Sequence, residues 1–339
     1  MGEKRLVVGF ESALSFWRSV RAAAGERDVL EPTGKTYGAR WLTLSEQARV
    51  ALSLCSASAP LDVVVPRANR RHCCELVADH VWRGPVPDKR LVGVGDDICV
   101  CAMPVVFAQL ATTRDVIDLA EVAYEMTGTY GVTPWEGEGF CGGIDALLDV
   151  AELWGYASSV RALEIRGSAR AIDALGLVVP GSNSPRETDV AILFMMGRRR
   201  GGLNVPGFAM NATVALPESL AERIGQKTVI PDFSWPNGTI VEYDSNEEHQ
   251  SPDARAHDEV KRRAYQAVGM DCLTLTNGIL RSNHRLNLFA EELERSLGIR
   301  RDGVSERSLT ARRDLRQRLF GVETEAAALA GLSGARQTA

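Results

Sequence analysis

The sequence predicts a mixed α/β protein: an α+β N-terminal region, then a C-terminal core of order α-β-β-β-α-β. Three observations carry that expectation. The stretch 227–244, KTVIPDFSWPNGTIVEYD, reads as a β-hairpin, two β-branched and aromatic runs joined by a Pro-Asn-Gly turn. A cluster of Pro, Gly, Ser and Asn at 178–185, VVPGSNSP, marks a domain boundary. Helical patterns at 185–196 and 253–268 flank the hairpin, and a strand pattern at 271–276 closes the series. The expected domains are therefore 1–178, 179–285 and a charged helical tail, 286–339.

Composition narrows the class. The chain has 339 residues, 45% hydrophobic and 24% charged, with a formal net charge of −5, as for an ordinary globular protein of about two domains. That balance gives no global sign of nucleic-acid binding, so any such surface has to be local. The first residues, MGEKRLVVGFESALSFWRSV, are interrupted by Glu11 and Arg18 and read as neither a signal peptide nor a membrane span. The seven cysteines include no CxxC pair, which points away from a disulfide framework or a zinc site and towards the cytoplasm. Zinc at His72, Cys73, Cys74 and His80 is rejected because adjacent cysteines make poor tetrahedral geometry.

In chain order, the apolar run Leu6 to Phe10 leads into a helix around Leu14, Phe16, Trp17 and Val20, and a second helix starts after Ser45. Leu61–Pro66 reads as a strand, and Leu91–Cys101 as two strands around Gly95-Asp96-Asp97, with Cys99 and Cys101 alternating as packing residues. Helices are expected at Val105–Gln109, Val116–Met126, Ile144–Leu153 and Ala157–Leu175, with a loop at Gly128–Gly143. In the second half, a helix at Pro185–Met196 precedes the basic turn Arg198–Gly202 and a strand near Ala209–Ala215. A polar loop, Ser245–Pro252, follows the hairpin, and Gly269 ends the helix of 253–268.

The hairpin carries the chemistry. A three-residue loop with Gly238 in the left-handed region sets Trp235 opposite Thr239, Phe233 opposite Val241 and Asp232 opposite Glu242. Period two puts Glu242 and Asp244 on the face of Asp232, with Ile230 and Ile240 making that face half-buried. Opposed carboxylates about 5 Å apart destabilise a sheet, and near apolar neighbours they need a cation or a donor. Hard divalent cations take such oxygen ligands readily. The alternative is a solvated strand face.

Four further features each carry two readings. Ser184-Pro185-Arg186-Glu187 is a complete capping box, and Glu187 is also placed to reach the acidic hairpin. His249 is either a solvated loop residue or a base beside a metal-bound water. Asp258, Lys261 and Arg262 form an ion-paired helix surface, or Lys261, Arg262 and Arg263 meet phosphates. Arg198–Arg200 and the arginine-rich tail divide the same way.

SPRE at 184–187, PDFSWPNGTIVEYD at 231–244, His249 and 258–269 together resemble the very-short-patch-repair-like branch of the restriction-endonuclease-like superfamily. The resemblance covers about residues 180–280. More loosely, Ser12-Ala13 and Leu61–Pro66 resemble the N-terminal region of abortive-infection antitoxins, with a winged helix near 10–60. The nuclease resemblance implies a restriction-endonuclease-like core and a site at Glu187, Asp232, Glu242, Asp244, His249, Asp258 and Lys261. Asp232 and Glu242 would then ligate Mg2+ or Mn2+ for DNA phosphodiester hydrolysis, with Lys261, Arg262 and Arg263 on the DNA. Asp244 stands where the wider superfamily has lysine, and Ser245 where the branch has glycine. The expected partners are DNA and a homodimer mate or a cognate defence or toxin protein, with no membrane. The rival expectation is a DNA-binding regulator or antitoxin-like protein whose nuclease fold is non-catalytic.

Overall fold

The computed structural model describes residues 4–23, 40–41, 60–68, 75–95, 98–135, 137, 139–225, 227–244, 261–300 and 303–321. It is mixed α/β and divides into two compact units, Met1–Val178 and Val179–Ala339. The helix expected after Ser45, the loop Ser245–Pro252, His72, Cys73, Cys74, His249 and Asp258 lie outside the described residues.

The first unit is built on a sheet of order β4-β3-β1-β6-β5, in which β2 also pairs with β1. The strands are β1 Lys4–Val8, β2 Arg40–Trp41, β3 Leu61–Val65, β4 Val77–Val81, β5 Leu91–Gly95 and β6 Ile98–Cys101. β1 is central, and its Leu6, Val7 and Val8 are all buried, as suits a strand covered on both faces. β5 and β6 form the expected antiparallel pair, with Cys99 and Cys101 buried as packing residues. Helix α1, Phe10–Ala23, follows β1 through Gly9. Any Cβ at Gly9 would lie 2.4 Å from Val64 and 2.7 Å from the Gln109 side chain.

Helices α2 Met103–Leu110 and α3 Val116–Thr127 stand where expected. The next two do not: Ile144–Leu153 and Ala157–Leu175 are replaced by α4 Val150–Ala162 and α5 Ser168–Leu175. Asp149 starts α4 later by accepting the Ala151 N–H at 2.8 Å. Gly167, at φ +86 with Ala111 pressed against it, breaks the second prediction in two. The loop Gly128–Gly143 contains a small hairpin, β7 Tyr130–Val132 with β8 Phe140–Gly142.

Arg18 and Arg21, the basic residues of the supposed winged-helix segment, face the interior. Arg18 makes a bidentate pair with buried Glu125. Arg21 donates to the carbonyls of Gly128 at 3.0 Å, Tyr130 at 2.7 Å, Asp145 at 2.9 Å and Glu125. One guanidinium thus closes the polar ends of several loop segments.

The second unit begins with α6, Pro185–Met195, and the 3-10 turn Arg198–Arg200. Its main sheet has the order β14-β13-β12-β9, from β9 Ala209–Met210, β12 Phe233–Ser234, β13 Thr239–Asp244 and β14 Asp271–Thr276. β9 with β12 and β12 with β13 are antiparallel, whereas β13 with β14 is parallel. The single strand expected at 209–215 is split by Asn211 at φ +50. Its second piece, β10 Val214–Ala215, pairs instead with β11 Thr228–Val229, and α7, Glu218–Ile224, lies between them.

The hairpin register agrees with the sequence. Phe233 pairs with Val241 and Ser234 with Ile240, Trp235 N–H donates to Thr239 at 2.9 Å, and Gly238 has φ +87. One sheet face packs on an aromatic cluster of Phe194, Phe208, Phe233 and Trp235. The other carries Ile240 against Leu216, Val229, Ala264 and Tyr265. Ile230 does not share this face: it is 45% exposed, because the chain leaves β11 after Val229.

Helix α8 occupies 261–267 and ends before Gly269 at φ +76. The end of the chain is helical, as expected of the charged helical tail, and over the described residues it is packed: α9 Asn277–Arg281, α10 Asn283–Ser296 and α11 Glu306–Phe320. Leu286, Phe289, Leu293, Leu315 and Leu319 are buried, and Arg316, 0% exposed, donates to the Leu280 carbonyl at 3.2 Å.

Truncating Arg21 leaves buried carbonyls with no donor. Arg21→Ala is expected to destabilise the first unit by about 3 kcal/mol or more, read as a lower urea midpoint at unchanged m.

Candidate functional site

The site grows from the last residues of β13. Asp232 lies one residue before β12, and the register carried one step beyond Phe233–Val241 sets it opposite Glu242. Its Oδ2 accepts the Tyr243 backbone N–H at 2.7 Å. A side chain therefore continues the ladder where the strand stops, which holds the carboxylate against the sheet rather than in solvent.

Glu242 is held from the other side by α8. The Lys261 ammonium sits 2.9 Å from both carboxylate oxygens, and the Tyr265 hydroxyl donates to Oε1. Lys261 and Tyr265 are four residues apart on one helix, so their side chains leave the same face. Lys261 also lies 5.8 Å from the centre of the Tyr265 ring, within cation–π range.

Electrostatics follow from that packing. Burial pushes the Asp232 carboxyl up from 3.8 to about 7. The neighbouring Glu242 adds to the rise, and Glu187 adds less, while the Tyr243 N–H and Lys261 oppose it. The Tyr265 phenol is raised by burial first and then by its bond to Glu242. Cys272, next to the site on β14, is pushed up to about 11 by burial and by Glu242.

Glu187 serves the helix cap and lies near the acids. Ser184 accepts the Glu187 N–H at 3.2 Å, and the Glu187 carboxylate accepts the Asn183 N–H at 3.0 Å and the Ser184 hydroxyl at 3.1 Å. Its Oε2 also accepts Asn211 Nδ2 at 2.6 Å. The capping interpretation holds, and the charge still reaches Asp232 through space. Asp244 ends β13 opposite Thr276, partly buried, with the same strand parity as Glu242. Arg262 and Arg263 are exposed on α8.

Two residues join the site that the sequence did not single out. Asn211 donates to Glu187 and, at 2.8 Å, to the Gly181 carbonyl, while its own N–H reaches the Asp232 carbonyl at 3.1 Å. It does so in the left-handed region, where Asn is among the few tolerated side chains. Tyr265, 1% exposed, reads from sequence as an ordinary core aromatic. Its only signal is the four-residue spacing from Lys261.

The described donors are oxygens, the kind that Mg2+ and Mn2+ prefer. Among the described residues no three His, Cys, Asp or Glu side chains cluster closely enough to hold a metal ion. Comparison of the chain with protein-family models, with curated proteins and with solved structures gives no match.

The raised Asp232 carboxyl has a thermodynamic sign. The fold binds its proton more tightly than the unfolded chain does, so this contribution is complete below about pH 4 and is lost as pH rises through about 7. Asp232→Asn keeps an acceptor for the Tyr243 N–H and removes the charge. The variant is expected to flatten the fall in stability between pH 4 and 7, and to gain on the order of 3 kcal/mol at pH 8. Chemical denaturation across that range measures it.

Proposed function

We propose that the second unit is a restriction-endonuclease-like domain that hydrolyses DNA phosphodiester bonds with a divalent cation. The observation that carries this reading is the constellation Asp232, Glu242 and Lys261. Two opposed carboxylates are held in a poorly solvated sheet face, with an ammonium brought to them by the following helix. The mixed sheet order β9-β12-β13-β14, with α6 before it and α8 between β13 and β14, supports the resemblance drawn from the sequence motifs.

Asp232 and Glu242 fit Mg2+ or Mn2+ as hard oxygen donors, and their mutual repulsion is the strain that a cation relieves. When bound, the cation supplies Lewis-acid polarisation of the phosphodiester and activation of water. Asp232 would hold the cation as the carboxylate, so binding would be coupled to release of its proton and would strengthen as pH rises through about 7. Lys261 balances the acid pair, and its ammonium would be free to pair with a phosphate oxygen if Glu242 held the cation instead. It occupies the chemical role left open by Asp244, where the wider superfamily has a strand lysine. Tyr265 fixes the direction of Glu242, and Asn211 ties the α6 cap to the start of the hairpin. The N-terminal unit, and a homodimer or defence partner, would contribute recognition.

A second reading has its own support. Glu242 is already satisfied by Lys261 and Tyr265, and Glu187 by its cap and Asn211. Such closed pairs suit a DNA-binding regulator with a non-catalytic nuclease fold.

Supercoiled plasmid with Mg2+ or Mn2+ separates the two. Wild-type protein is expected to nick or linearise it. Asp232→Ala and Glu242→Ala should each lower the rate by about a hundredfold or more, and Lys261→Met by about tenfold or more. Failure to cut plasmid, single-stranded or mismatched DNA with either metal, with DNA binding retained, would leave the regulator reading in place.

A further inference from the structure

A second cluster in this unit is basic, and it is assembled by contact between segments far apart in the chain. The turn Arg198–Arg200 is followed by Gly201 at φ +96 and by Gly202. A Cβ on Gly201 would lie 2.2 Å from the Ala311 carbonyl oxygen, and one on Gly202 would lie 2.0 Å from that of Met196. Neither position admits a side chain without backbone movement, so Gly201 lets the arginine turn lie flush on α11 and Gly202 lets the chain close back on the end of α6.

The face of α11 at that contact follows from helical spacing. Arg312, Leu315, Arg316 and Leu319 form its buried seam, and Ala311 lies at the edge of the seam. Arg307, one turn earlier on that side, is exposed, as are Arg199 and Arg200, and Arg198 is partly so. Asp314 is the acid on the same flank. Arginines 198, 199, 200 and 307 therefore make a local positive surface on a chain whose net charge is −5.

Helix α6 sets the distance of this surface from the acids. Glu187, in its first turn, is bonded to Asn211 beside Asp232, and the arginine turn follows its last turn. The 11 residues of α6 correspond to about 16 Å of helix axis. On one strand of a duplex that is about five phosphate spacings.

We propose that Arg198–Arg200 and Arg307 form a phosphate-binding surface for duplex DNA, holding the backbone about half a helical turn from the acidic site. The proposal rests on the nuclease-like reading of that site. Guanidinium forks pair bidentately with phosphate oxygens, and four arginines against the one acid Asp314 suit a polyanion more than a folded protein partner. Such contacts position the duplex and carry no sequence information.

The test is fluorescence anisotropy of the full chain with a short fluorescein-labelled duplex in EDTA, across a salt series. Combined Arg199→Glu, Arg200→Glu and Arg307→Glu is expected to weaken binding by about tenfold or more at low salt, and to reduce the slope of log K against log salt by about three. The corresponding lysine triple should bind within about threefold of wild type and controls for folding. If the glutamate triple loses its melting transition, Arg199→Gln with Arg307→Gln takes its place. Equal affinity of a folded variant and wild type overturns the proposal, as does wild-type protein that binds no duplex. It is also overturned if the variant loses binding only to phosphatidylserine vesicles. Plasmid cleavage separates this surface from the reading it rests on. Arginine-dependent binding without cleavage removes the nuclease and keeps the surface, whereas cleavage by a variant of unchanged affinity does the reverse.

Discussion

The second unit depends on keeping two like charges together in a sheet that gives them little water. Asp232 and Glu242 repel, and burial of Asp232 increases the cost of its charge. The structure offsets this with one backbone N–H on Asp232 and a lysine and a phenol on Glu242. Removal of a partner from such a group costs more than the pair contributes when intact. The surrounding elements are constrained accordingly. α8 has to present Lys261 and Tyr265 on one face, and the hairpin turn has to keep its register to a single residue.

The same face is also half of the hydrophobic core. Ile240 packs with Leu216, Val229, Ala264 and Tyr265 immediately beside the carboxylates. Tyr265 belongs to both sets: its ring fills the core and its hydroxyl serves Glu242. A polar handle on a buried aromatic is the usual way of joining a dry layer to a charged one. Local stability and local chemistry are therefore not separable at this position.

Legibility in the sequence tracks how local the determining physics is. The hairpin register could be read because Pro236-Asn237-Gly238 restricts the loop to one geometry, and Gly238 adopts the positive φ which that geometry requires. The capping box at Ser184–Glu187 was equally local. The split of the strand at Asn211 was not, since its positive φ is maintained by bonds to Gly181, Glu187 and Asp232 from elsewhere in the chain. Lys261 was legible as a site cation but not as the partner of Glu242, because the approach of α8 to β13 is tertiary. The C-terminal segment was legible as charged helix but not as packed core, because arginines occupy two positions of the buried seam of α11, where periodicity looks for apolar residues.

Arg316 gives that last point a wider consequence. Its guanidinium lies wholly inside the fold, on the Leu280 carbonyl that follows β14. A chain cut after α10 would lose Arg316 and strip that carbonyl of its donor. The acidic hairpin and the final helices therefore form one heritable module. Recombination that moved the hairpin into another protein would have to carry the chain through Phe320 with it.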